Sequence, residues 1–193
     1  MSVTLVKGQK ISLEKEAGKS LTSVVMGLGW DVAKPKGFLG KLGGSGSIDL
    51  DASCVLLDAA GAIVDTVWFR QLQSKDGSIV HTGDNLTGAG DGDDEQIRVD
   101  LSRIPAHVTT LVFVVNSFTG QNFSKIENAY CRLVDQSSGH EIAKYDLSGG
   151  GAHTAQLMAK LYRHQGEWKM HALGENASGR TFHDLMPVIQ RHL

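Results

Sequence analysis

At 193 residues with 41% hydrophobic content, the chain suits one domain with a sizeable core. A formal net charge of -2 excludes an overall basic field, so no nucleic-acid partner is expected. No apolar run approaches the roughly 18 residues of a membrane span, and "MSVTLVKGQKISLEKEAGK" is broken by charge too early for a secretory signal, so a cytoplasmic location is expected.

Along the chain, the first distinctive segment is "AKPKGFLGKLGGSGS", with three lysines, five glycines and no acid. That composition predicts a surface loop inserted at about residues 32–47. Period-2 alternation follows in "SIDLDASCVLL", where Ile48, Leu50, Ala52, Cys54 and Leu56 share one face and Asp49, Asp51 and Ser53 the other. Further strands are predicted at "AIVDTVWFR", "EQIRVDL", "TTLVFVVNSF", "NAYCRLVD", "HEIAKYDL" and "GEWKMHALG", separated by turn-forming stretches such as "SKDGS" and "DQSSGH". "VTTLVFVVN" reads as buried on both faces. Two segments carry helical spacing: "HTAQLMAKLYRH", through Leu157, Met158, Leu161 and Tyr162, and "TFHDLMPVIQRHL", where Pro187 limits a continuous helix. Together these predict a mainly β, single-domain β-sandwich over residues 1–193 with one or two short helices. Cys54 and Cys131 lack metal-site spacing and fall in apolar runs, so both are expected to be reduced core thiols.

The stretch "GDNLTGAGDGDDE", Gly83 to Glu95, packs five acids and four glycines into thirteen positions. Asp84, Asp91, Asp93, Asp94 and Glu95 repel one another there, and a hard divalent cation relieves such repulsion. Calcium suits the oxygen donors, which include the Asn85 amide, the Thr87 hydroxyl and loop carbonyls such as that of Gly90, while the glycines let the backbone turn those carbonyls inward. The pattern is not an EF-hand. Asp49 and Asp51, about 7 Å apart on one strand face, and Asp31 in "GLGWD" are candidates to complete the site. Asp76 in "SKDGS" reads instead as a turn former, and Asp65, Asp100, Asp135 and Asp146 as surface or pairing groups.

"GLGWD", "DLDAS", "SKDGSIVHTGDNLTGAGDGDDE", "NAYCRLVD", "AKYDL" and "LYRHQGEWKMHALGE" in this order resemble the tellurium-resistance TerD family, from about Leu5 to Gly174. "DTVWFRQLQSKDGS" and the lysine- and glycine-rich insertion look most like its TerZ branch. The resemblance implies a cytoplasmic β-sandwich stress protein without catalytic activity, binding calcium at two neighbouring sites. Its calcium ligands would come from Asp31, Asp49, Asp51, Asp84, Asn85, Gly90, Asp91, Asp93, Asp94 and Glu95. Ala89 stands where the family loop commonly has an acid, so one carboxylate is missing. The expected partners are other stress or tellurium-resistance proteins. The first alternative is calcium-dependent docking on the inner membrane face through "KPKGFLGKLGG", with Phe38 and Leu39 as anchors. A metal-dependent hydrolase using His81 or His153 as base is a weaker alternative, since the chain has no G-x-S-x-G, P-loop or H-E-x-x-H motif.

Overall fold

The computed structural model describes residues 2–32, 50–83, 92–146 and 151–193. In chain order the elements are β1 (Val3–Thr4), β2 (Lys10–Ser12), α1 (Leu13–Ala17), β3 (Ser23–Val32), β4 (Leu50–Asp58), β5 (Ile63–Val67), β6 (Ile79–His81), β7 (Glu95–Asp100), β8 (Val108–Ser117), β9 (Ile126–Asp135), β10 (Glu141–Asp146), β11 (Ala155–His164), β12 (Glu167–Ala177) and α2 (Phe182–Gln190). The strands form two six-stranded sheets, ordered β1-β10-β9-β3-β7-β6 and β2-β12-β11-β8-β4-β5. Their pairings are antiparallel except β1 with β10.

Strand alternation decides what lies between the sheets. Met26, Leu28 and Trp30 of β3, Ile97 and Val99 of β7, and Cys131 and Leu133 of β9 face Leu50, Cys54 and Leu56 of β4 and Leu111, Phe113 and Val115 of β8 in one apolar core. Each large side chain buried there contributes about 1.5–3 kcal/mol. The two thiols belong to this core. Burial pushes the Cys131 thiol up to about 12 and that of Cys54 higher still, with the Asp65 charge adding to the latter.

A second apolar layer explains why β8 and β4 are buried on both faces. Val55, Leu57, Val112 and Val114 on the outer side of the second sheet pack against Phe182, Leu185 and Ile189, spaced along one face of α2. The helix runs through Pro187 rather than stopping there. The Asp184 carboxylate accepts from the Arg180 and Thr181 N–H groups at 2.8 and 3.2 Å and secures its first turn.

The segment from His153 to His164 is a correction to the helical expectation: Ala155–His164 is the strand β11. The register with both neighbours shifts between Leu157 and Ala159. This bulge changes the phase of the alternation, so Leu157 packs outward under α2 while Met158 and Leu161 point into the inter-sheet core. A strand buried on two faces with one bulge therefore mimics helical spacing.

Candidate metal centre

The acidic stretch joins β6 to β7, which pair as a hairpin from Ile79 opposite Val99 to His81 opposite Ile97. Thr82 N–H extends the pairing to the Gln96 carbonyl at 2.9 Å. Gly83 and Gly92, at φ 127° and 103°, hold backbone conformations that side-chain-bearing residues rarely adopt. Gly83 N–H donates to His81 Nδ1 at 3.1 Å, which leaves the ring proton of the neutral imidazole on Nε2. That nitrogen faces Glu95 Oε2 at 3.4 Å.

Of the ten expected ligands, Asp49, Asp84, Asn85, Gly90 and Asp91 lie outside the described residues, as does the side chain of Asp31, whose backbone pairs with Glu127. The other four are Asp51, Asp93, Asp94 and Glu95. Among the described residues, no group of three or more His, Cys, Asp or Glu side chains is placed around a common point suited to an ion.

The bend that leads into β7 sends the consecutive acids in three directions. Asp93 lies on the outer side of the first sheet, where Arg132 Nε donates to Oδ1 at 2.7 Å and Arg132 Nη2 to Oδ2 at 3.1 Å. Tyr130 Oη and Gln96 Nε2 add bonds at 3.2 Å each. Four donors thus engage this carboxylate, whose side chain is 1% exposed. Hydrogen bonding to Asp93 raises the Arg132 pKa further, while burial and the Asp93 charge push Tyr130 up to about 12. Two glycines of "GLGWD" make room for this arrangement. A Cβ at Gly27 would lie 2.2 Å from Asp93 Oδ2, and one at Gly29 would lie 2.5 Å from the Tyr130 ring.

Asp94 turns back onto β3. Its N–H donates to the Leu28 carbonyl at 2.7 Å and its Oδ2 accepts from Trp30 N–H at 2.8 Å, so the side chain continues the ladder where β3 bulges between Gly29 and Asp31. Glu95 points inward, is buried, and accepts the Ala52 N–H of the opposite sheet on Oε2 at 2.7 Å.

Asp51 is also buried, although alternation had placed it on a polar strand face. It stands directly opposite Asn116, whose Nδ2 approaches Asp51 Oδ2 at 3.5 Å and donates to the Arg180 carbonyl at 2.7 Å. The Arg180 bond fixes which end of the Asn116 amide is nitrogen. Asn116 Oδ1 is then a buried carbonyl oxygen without a hydrogen-bond donor among the described residues. Leaving such an acceptor unsatisfied costs about 1–3 kcal/mol.

Other singled-out residues have structural roles. Asp76 accepts from Ser74 Oγ, Ser78 N–H and Ser78 Oγ, which closes its turn. Asp65 accepts from Thr66 N–H, Gln71 Nε2 and Lys75 N–H. His153 packs against Phe123 in a tilted contact with ring centroids 4.8 Å apart, and burial lowers its pKa. Sequence reasoning missed Asn116, Tyr130 and Arg132 as neighbours of the acids. The available signal was that Tyr130 and Arg132 alternate against the apolar Ala129, Cys131 and Leu133.

Comparison with known proteins places this geometry in context. The model of the TerD domain matches residues 1–186. The tellurium resistance protein TerZ of Serratia marcescens is 54% identical over 95% of this chain and 94% of that protein. General stress protein 16U of Bacillus subtilis (strain 168) is 42% identical over 93% of each. The crystal structure of a homologue of telluride resistance protein (TerD) from Streptomyces coelicolor A3(2) shares the fold, with a TM-score of 0.67 at 20% identity over 83% of this chain and 92% of that one.

Proposed function

The chain belongs to the TerD family of tellurium-resistance and stress proteins, and we propose that it works there as a calcium-organised interaction module rather than as an enzyme. The observation that carries this reading is Asn116 Oδ1, a buried amide oxygen without a donor among the described residues, on the residue that stands opposite Asp51 in the pairing of β4 with β8. A hard cation is the species that would satisfy an amide oxygen and a carboxylate together. The donor set fits calcium: the sequence of the acidic stretch and of "DLDAS" supplies carboxylates, an amide and backbone carbonyls, and both cysteines are buried in the core.

In this reading Asp49, Asp51, Asp84, Asn85, Asp91, the Gly90 carbonyl, Asp31 and Asn116 are the candidate ligands for one or two ions. Asp94 and Glu95 set the entry into β7 and stand at the edge of that set. The geometry gives Asp93 a different task, positioning the hairpin, because both its oxygens are engaged by Arg132, Tyr130 and Gln96. Bound calcium would neutralise the loop carboxylates and hold the hairpin tip in one shape. That shape would be the surface offered to other stress or tellurium-resistance proteins in the cytoplasm.

The test is a calorimetric calcium titration of chelator-stripped protein with magnesium in excess, run on the parent chain, Asp51→Asn and Asn116→Ala. Saturable binding weakened in both variants is expected, with stabilisation of about 2.7 kcal/mol when free calcium is a hundredfold above Kd. No heat and no stabilisation would sink the calcium reading. Metal-dependent phosphoester turnover lost in Asp51→Asn would replace the non-enzymatic one.

A further inference from the structure

The outer face of the second sheet changes character beyond the reach of α2. Cross-strand register sets Lys160 of β11 opposite His171 of β12, and His171 opposite Lys10 of β2, in one row across three strands. The next row holds Tyr162, Lys169 and Ser12. Directly opposed Cβ atoms on a sheet sit about 5 Å apart, so the first row sets the Lys10 and Lys160 side chains on either side of His171, close enough for the two ammonium charges to oppose each other.

The acids bordering this face are already engaged. Glu167 accepts from Ser12 Oγ at 3.1 Å, and Glu175 pairs with Lys7 at 2.8 Å. Lys10 and Lys169 have no ion pair among the described residues. Lys160 Nζ donates to the His192 carbonyl, just past α2, and lies 5.2 Å from the Tyr162 ring centroid. His171 Nδ1 is buried and lacks a hydrogen-bond partner among the described residues.

We propose that Lys10, His171 and Lys160, flanked by Lys169 and Tyr162, form a site for a multiply charged phosphate group. An anion seated over the row would turn mutual repulsion into shared attraction. Several phosphate oxygens could take the Lys10, Lys160 and Lys169 ammonium groups together, which a singly charged ion could not match. The electrostatics agree: burial, then Lys10, Lys160 and His192, lowers the His171 pKa against a backbone hydrogen bond at Gly8 that raises it, and burial followed by Lys10 lowers that of Lys160. This site is independent of calcium and has the opposite charge preference.

The experiment uses the full chain in chelating buffer, so that no divalent ion binds the probe. Inorganic triphosphate is titrated by calorimetry into the parent protein, Lys10→Gln, Lys160→Gln and, as a control, the exposed Lys75→Gln. Each of the first two is expected to weaken binding roughly tenfold, the loss of one charge-assisted contact, with Lys75→Gln unchanged. Because Lys10→Gln removes only a like-charge neighbour, it should melt at or above the parent temperature without ligand and so separates lost binding from lost folding; Lys160→Gln also gives up the bond to the His192 carbonyl and is the supporting variant. Sedimentation with phosphatidic-acid vesicles forms the second arm. Binding to triphosphate assigns a free polyphosphate, and binding to vesicles alone, lost in the same variants, assigns a lipid headgroup. Binding to neither probe, or equal binding by all four proteins, overturns the proposal.

Discussion

Replacing Gly27 by alanine is expected to destabilise the protein by about 3 kcal/mol, because the new methyl would take the place of the Asp93 carboxylate. An ideal Cβ there lies 2.2 Å from Asp93 Oδ2, 2.4 Å from Cγ and 2.7 Å from Oδ1, whereas ordinary contact begins at 3.4 Å. The carboxylate must therefore retreat by roughly 1 Å, beyond the reach of at least the 3.1 and 3.2 Å bonds to Arg132 Nη2, Tyr130 and Gln96. Hydrogen bonds to charged groups contribute about 1.5–3 kcal/mol each, and movement of Asp93 toward water offsets part of the loss. In a domain of this size each kcal/mol shifts Tm by about 2–4 °C, so a fall of about 6–12 °C should accompany the change. Urea denaturation of Gly27→Ala, Asp93→Ala and the double variant completes the cycle. With no carboxylate to displace, Gly27→Ala in the Asp93→Ala background should cost under about 1 kcal/mol. An unchanged cost in that background would refute the reasoning and move the strain from Asp93 to the backbone of β3.

Two further outcomes follow from buried ionisable groups. Burial alone would raise the Asp135 pKa, but hydrogen bonds from Lys19, Ser138 and Ser137 outweigh it and hold the carboxyl well below its usual range. Its contribution is therefore complete above the unfolded pKa near 3.9 and is lost as pH falls through the lower folded value, so Asp135→Asn should cost about 1–3 kcal/mol at pH 7 and progressively less below about pH 4. Urea midpoints of both proteins at pH 7 and pH 3 check this, and a gap that does not narrow contradicts it. Cys54 and Cys131 should react with a thiol reagent only at the rate of global unfolding, accelerating with urea; rapid stoichiometric labelling in native buffer contradicts their placement in the core.

The sandwich was legible because strands with one apolar face announce themselves by alternation, as along Glu95, Ile97 and Val99 of β7. Doubly buried strands announce themselves less well. β8 was readable because its apolar run is continuous, whereas the bulge at Leu157 gave β11 the spacing of a helix. The candidate site was legible as composition and not as geometry. "DDE" reads as three carboxylates for one ion, yet the chain bends at Gly92 and Asp94 before β7 begins, so Asp93 points outward, Asp94 turns back onto β3 and only Glu95 follows the inward face of the strand. Partners from distant strands, such as Arg132 for Asp93 and Asn116 for Asp51, are set by the pairing of sheets that no local pattern encodes.

The bond from Glu95 to the Ala52 N–H has a mechanical meaning. Apolar contacts between two sheets resist pulling apart more than sliding, because they are non-directional and one interdigitated packing can be exchanged for a neighbouring one. A buried carboxylate that belongs to one sheet and grips a peptide of the other acts as a dowel against that slip. It stands where β7 begins, at the foot of the acidic hairpin, so the two layers are locked in shear at the end that presents the hairpin.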